Sequence, residues 1–190
     1  MVGATPLDRP EDIEVDPLTG HVLVALTNNK WNKNYYGKIL KIIEKNNNPE
    51  SLTFDYQDYL VGGENSGFAC PDNLAFDHAG NLWFTSDISG HEQFEGPYQN
   101  FGNNGLFVVL RQGPLKGVAI QMASAPIHAE FTGPLFSPDG KSLFLCVQHP
   151  GEYSKSLDEL SSHWPDGSLP RSAVIVIQGP ALEKISKGNL

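Results

Sequence analysis

Three acidic residues hold neighbouring places in three copies of one short sequence pattern: Glu11 follows Pro10, Asp72 follows Pro71, and Glu130 stands just before Phe131. An arginine, Arg9, immediately precedes the first copy. Residues two apart on an extended chain share a face, so Arg9 projects with Glu11, Cys70 with Asp72, and Glu130 with Thr132. Carboxylates gathered in one place repel each other unless they are protonated or bind a cation. Oxygen-only donors suit hard ions such as Ca2+, Mg2+ or oxidised iron. A guanidinium beside them offers a forked pair of donors to a phosphate or carboxylate oxygen. The chemistry implied is a cation site that grips an oxyanion. The plainer alternative is that these acids only cap turns, the role expected of Asp16, Asp77 and Asp139 elsewhere in the same copies.

The pattern that carries these residues is a β-hairpin recurring about every sixty residues. Its copies run from Pro10-Glu11-Asp12-Ile13-Glu14-Val15, from Pro71-Asp72-Asn73-Leu74-Ala75-Phe76, and from Phe131-Thr132-Gly133-Pro134-Leu135-Phe136. Each continues through an Asp or Ser and a glycine (Gly20, Gly80 and Gly140) into a second apolar strand, at 22–25, 82–85 and 143–147. The glycine supplies the positive φ that a tight hairpin needs. Later strand candidates lie at 38–43, 105–110 and 173–177, and a hairpin with further strands makes a four-stranded propeller blade. The capping box Ser156-Leu157-Asp158-Glu159 predicts one short helix before Ala173. Segments 44–50 and 92–104 read as loops.

These elements bring the starts of the first strands to the mouth of a common channel. The expected fold class is all-β, a partial β-propeller of about three four-stranded blades with one short helix. Propellers close with about four to eight blades. The expected domain is therefore 1–190 as the C-terminal half of a larger ring, completed by N-terminal blades or by a homo-oligomer joined through exposed blade edges.

Composition narrows the function. A formal net charge of −9 argues against nucleic acid, which demands clustered Lys and Arg. Apolar runs such as 105–110 and 173–177 are too short to cross a bilayer, and the first residues carry no basic start and no apolar stretch of a secretory signal. The two cysteines, Cys70 and Cys146, lack zinc-site spacing and read as small core or near-core residues. His149 ends the third hairpin and is in reach of the channel mouth, or serves as a hydrogen-bonded loop histidine. His91, Glu92 and Glu95 read as a solvated loop, and His163 as packing beside Trp164. No Gly-rich phosphate loop, nucleophile elbow or H-E-x-x-H motif occurs.

Longer motifs sharpen the reading. Asp8-Arg9-Pro10-Glu11-Asp12, Asn34-Tyr35-Tyr36-Gly37-Lys38-Ile39, Cys70-Pro71-Asp72-Asn73-Leu74-Ala75-Phe76-Asp77, Ala129-Glu130-Phe131-Thr132-Gly133-Pro134, Gln148-His149-Pro150-Gly151 and His163-Trp164-Pro165-Asp166-Gly167 together resemble the PhoX-type alkaline phosphatases. The resemblance runs from about Asp8 to Ile177 and implies the C-terminal part of a six-bladed propeller. It implies a metal-dependent phosphomonoesterase, exported to the periplasm or beyond, that uses ferric iron and calcium. By the same resemblance Glu11, Asp72 and Glu130 are metal ligands and Arg9 contacts the phosphate. The family's first-half ligands, including a cysteine thiolate, have no counterpart here, so the site is expected to be incomplete and the chain inactive alone. Two rivals stay open. One is a calcium-dependent lactonase of the gluconolactonase type, whose hairpin Pro71–Trp83 also fits; the other is a non-catalytic propeller scaffold.

Overall fold

The computed structural model describes residues 3–188. Three antiparallel sheets follow one another along the chain, each a meander of strands adjacent in sequence. The first contains β1 (Pro10–Val15), β2 (Val22–Leu26), β3 (Lys38–Glu44) and β4 (Phe54–Val61). The second contains β5 (Pro71–Phe76), β6 (Leu82–Ser86), β7 (Gly105–Val109) and β8 (Ala119–Ser124). The third contains β9 (Glu130–Phe136), β10 (Ser142–Gln148) and β11 (Ala173–Gln178), and α1 (Pro180–Ser186) follows it.

The three hairpins form where the repeat places them, the equivalent first residues each pairing near the end of the second strand. Pro10 pairs with Leu26, Pro71 with Ser86, and Phe131 with Val147. Asp16, Asp77 and Asp139 cap the turns as expected: Asp16 accepts from Leu18 N, Asp77 from Ala79 N and Asn81 N, and Asp139 from Lys141 N. Gly20, Gly80 and Gly140 all adopt positive φ there.

Apolar residues alternating along the strands bind sheet to sheet. Leu23, Ala25 and Ile39 of the first sheet pack with Leu74, Leu82, Phe84, Phe107 and Val109 of the second. On the opposite face of the second sheet, Trp83, Leu106 and Val108 pack with Phe131, Leu143, Leu145 and Val147 of the third. The first strands lie side by side, β1 against β5 and β5 against β9. Side chains reinforce this contact: Leu74 N donates to Asp12 Oδ2 at 2.8 Å, and Gly133 N donates to Asn73 Oδ1 at 2.8 Å.

Two expectations need correction. The capping box at Ser156 opens no helix. Lys155 N donates to Glu159 O, an isolated bridge joins Ser156 to Glu159, and the Ser156 hydroxyl accepts from Asp158 N. A Ser side chain bonds a nearby N–H in turns as readily as at a helix start, and no helical apolar period follows to extend it. The helix lies instead at α1, with Pro180 in its first turn and Leu182 and Ile185 buried against the core between the second and third sheets. Secondly, among the described residues the third sheet has three strands rather than four, the chain turning from β11 into α1.

Candidate metal and phosphate site

The site is built where β1, β5 and β9 begin. All three strands are bulged: between Pro10 and Asp12, between Pro71 and Leu74, and between Thr132 and Leu135. A bulge leaves residues outside the ladder and turns their side chains. Glu11 and Asp72 occupy these places in β1 and β5. Arg9 and Cys70, which precede the two prolines, share a left-handed backbone, at φ 50° and 52°. Non-glycine residues seldom hold that conformation, and a residue before proline favours extended φ/ψ, so the surrounding structure enforces it.

Arg9 and Glu11 meet, as expected, although neither lies in regular extended chain: one guanidinium nitrogen lies 3.2 Å from Glu11 Oε1, and another donates to Asn28 Oδ1 at 3.4 Å. Both side chains keep substantial solvent exposure, so the pair's value is positional more than energetic. Asp8 holds the approach to β1, accepting from Asn29 and Asn34, and these bonds keep its carboxyl below the usual range.

The acids sense one another. Burial pushes the Asp72 carboxyl up to about 7, helped by the charges of Asp87, Glu11 and Asp12 and opposed by Arg9. Burial also pushes Glu130 up to about 8, with Asp87, Asp72 and Glu152 adding to it. His149 reaches this group, its Nε2 lying 3.5 Å from Glu130 Oε1. The structure thus brings Arg9, Glu11, Asp72 and Glu130 to one end of the sheets and adds Asp87 and Glu152.

Asp87 escapes the repeat logic. It follows β6 at the place that Thr27 takes after β2 and Gln148 takes at the end of β10, so its neighbours in the pattern carry no charge. Its signal is positional: the residue leaving the second strand faces the residue starting the first, as Asp87 N donating to Cys70 O shows.

Cys70 is a core residue, as expected. Its sulfur lies among Asn28 Nδ2, the Tyr35 carbonyl and the Tyr98 hydroxyl, and burial raises the thiol above its ordinary value. Glu92 pairs with Lys30 at 2.5 Å and is not gathered into the acidic group. His163 lies exposed near Ser168 O, while Trp164 packs against the core between the second and third sheets.

Mutual repulsion among buried carboxylates is what a hard cation relieves, so the donor set fits such an ion in kind. It does not fit in number. Among the described residues, no group of three or more His, Cys, Asp or Glu is drawn close enough to hold a metal.

A solved structure, Pseudomonas fluorescens PhoX in complex with vanadate, a transition state analogue, is similar over 100% of this chain, with 32% identity and a TM-score of 0.79. This chain spans 36% of that protein's length. No curated protein matches. The family model of alkaline phosphatase PhoX matches residues 1–151, and the chain belongs to that family.

Proposed function

We propose that this chain supplies part of the metal and phosphate site of a phosphomonoesterase. The supporting observation is the placement of Arg9 beside an acidic group in which burial and neighbouring acids raise the Asp72 and Glu130 carboxyls. The three sheets are read as consecutive propeller blades, the chain as the C-terminal half of a larger ring, and its first strands as lining a channel. The site's partner is then the N-terminal part of that ring, and the exported location follows by family likeness alone.

In this reading Arg9 binds and orients the phosphoryl oxygens, donating through its fork and stabilising the negative charge that grows on them as the ester breaks. Glu11 and Asn28 hold that guanidinium in place. Glu11, Asp72 and Glu130, with Asp87 beside them, would hold hard cations, Ca2+ and Fe3+ being those the family likeness implies. Bound cations would neutralise the acids and polarise the phosphoryl oxygens. Water adds at phosphorus, the P–O bond to the alcohol breaks, and the alcohol leaves with a proton.

Hydrolysis of p-nitrophenyl phosphate and of an aldonolactone by the full-length protein separates this reading from the lactonase. The expected result is phosphate release that Arg9→Ala lowers by about a hundredfold or more, the usual scale for losing one group that stabilises developing charge. Lactone hydrolysis without phosphate release contradicts it. The 190-residue chain alone is expected to lack substantial turnover.

A further inference from the structure

The loops after β6 and β10 and the turn before β9 enclose a cavity of about 230 Å3 whose wall includes Asp87 and Glu130. His91, His128 and Tyr153 also line it and have no role in the reading above. The Tyr153 ring stands between two imidazoles. It meets His128 edge to face, with centroids 5.5 Å apart and planes at 72°, and it lies 6.2 Å from His91, whose Nδ1 is 3.4 Å from the Tyr153 hydroxyl.

Two observations mark this as a shaped seat. A Cβ at Gly90 would stand 2.5 Å from Tyr153 Cε2 and 2.9 Å from the His128 carbonyl, so the ring lies where it does only because residue 90 has no side chain. His128 holds a left-handed φ of 59°, and its Nδ1 is buried without a hydrogen-bond partner in the protein. The same imidazole meets the Tyr153 ring edge to face, so the two side chains are set as a pair.

We propose that this cavity receives the alcohol portion of the phosphomonoester, and that Tyr153 and His128 favour leaving groups bearing a planar ring. The inference rests on the phosphatase reading. Arg9 belongs to the first sheet and the cavity to the second and third, so an ester bound across the acids from Arg9 extends into it. The volume admits a single ring system and no macromolecule. Aromatic edges and faces bind a planar ring in offset or edge-to-face contact.

The test compares kcat/KM for adenosine 5′-monophosphate and for glycerol 2-phosphate in the full-length, metal-loaded protein. Tyr153→Ala is expected to lower the value for the nucleotide about tenfold, the scale of one lost contact surface in a pocket, and to change that for the glycerol ester less than about twofold. Gly90→Ala, which crowds the ring, is expected to act in the same direction, and Tyr153→Phe to retain most of the preference. Equal losses on both esters, or no loss on either, overturn the inference while leaving the phosphatase reading intact. Turnover of neither ester by the unaltered protein overturns both.

Discussion

At the scale of single residues, the charge state of Asp72 and Glu130 decides how the site behaves without metal. Their carboxyls are pushed up to about 7 and about 8, first by burial and then by neighbouring acids. Below about pH 4 such a group is protonated in both the folded and the unfolded chain, so it costs no stability. As pH rises through the folded value, the folded state alone resists ionisation, and stability is lost. Asp72→Asn keeps the shape and removes the charge. Its melting temperature in the metal-free chain is expected to match the wild type near pH 3.5 and to exceed it by about 3 °C at pH 8.5, the shift of roughly 1 kcal/mol in a chain of this size. Equal melting at both pH values would show that Asp72 stands outside the repulsive group. Spacing predicts the pairing of Arg9 with Glu11, but the contact is made through a left-handed Arg9 and a bulged Glu11 that spacing does not reveal. Asp87 was not legible, because no acid stands at its counterparts Thr27 and Gln148, and the repeat therefore gives no sign of it.

At the scale of elements, the three bulged first strands position the site, and side-chain acceptors clamp each to the next. Asp12 and Asn73 hold the same place in consecutive copies, and each accepts from a backbone N–H of the following first strand. Asn73→Ala leaves Gly133 N without that partner and is expected to destabilise the chain by about 1 kcal/mol in urea denaturation, with an unchanged m-value. A loss below about 0.3 kcal/mol would deny the clamp any role, being smaller than a typical net hydrogen bond. The hairpins were readable because each alternates apolar residues around a turn that only a few residue types can make. The outermost strands β4 and β8 were not individually marked. Phe54–Val61 is mostly exposed and Ala119–Ser124 largely so, which leaves little burial to impose a pattern. The helix was misplaced for a related reason: a capping box is a local hydrogen-bond preference, whereas α1 exists because Leu182 and Ile185 find a core.

At the scale of the molecule, the stack of sheets ends in two apolar faces. Ile13 (61% exposed), Val15 and Tyr56 (70%) lie on the free face of the first sheet. Leu135 (66%), Val174 (65%) and Val176 lie on the free face of the third. Such faces mark surfaces that something else covers, and they agree with a chain spanning 36% of its solved relative. The isolated chain is accordingly expected to self-associate at micromolar concentration, and a sedimentation mass of one chain would count against this. The repeat count predicts an uncovered apolar face at an end of the stack, and the exposure of Ile13 and Leu135 is in keeping with that. The central claim, that Glu11, Asp72 and Glu130 form part of a hard-cation site, is most directly tested by melting the chain at pH 8 with and without 10 mM Ca2+. Weak oxygen sites bind calcium at about 0.1–1 mM, and such binding to the native state adds about 1.5–3 kcal/mol at that concentration. The expected result is a rise of several degrees in the wild type that is lost in the Asp72→Asn, Glu130→Gln double variant. A rise of equal size in both proteins, or none in either, would contradict the account.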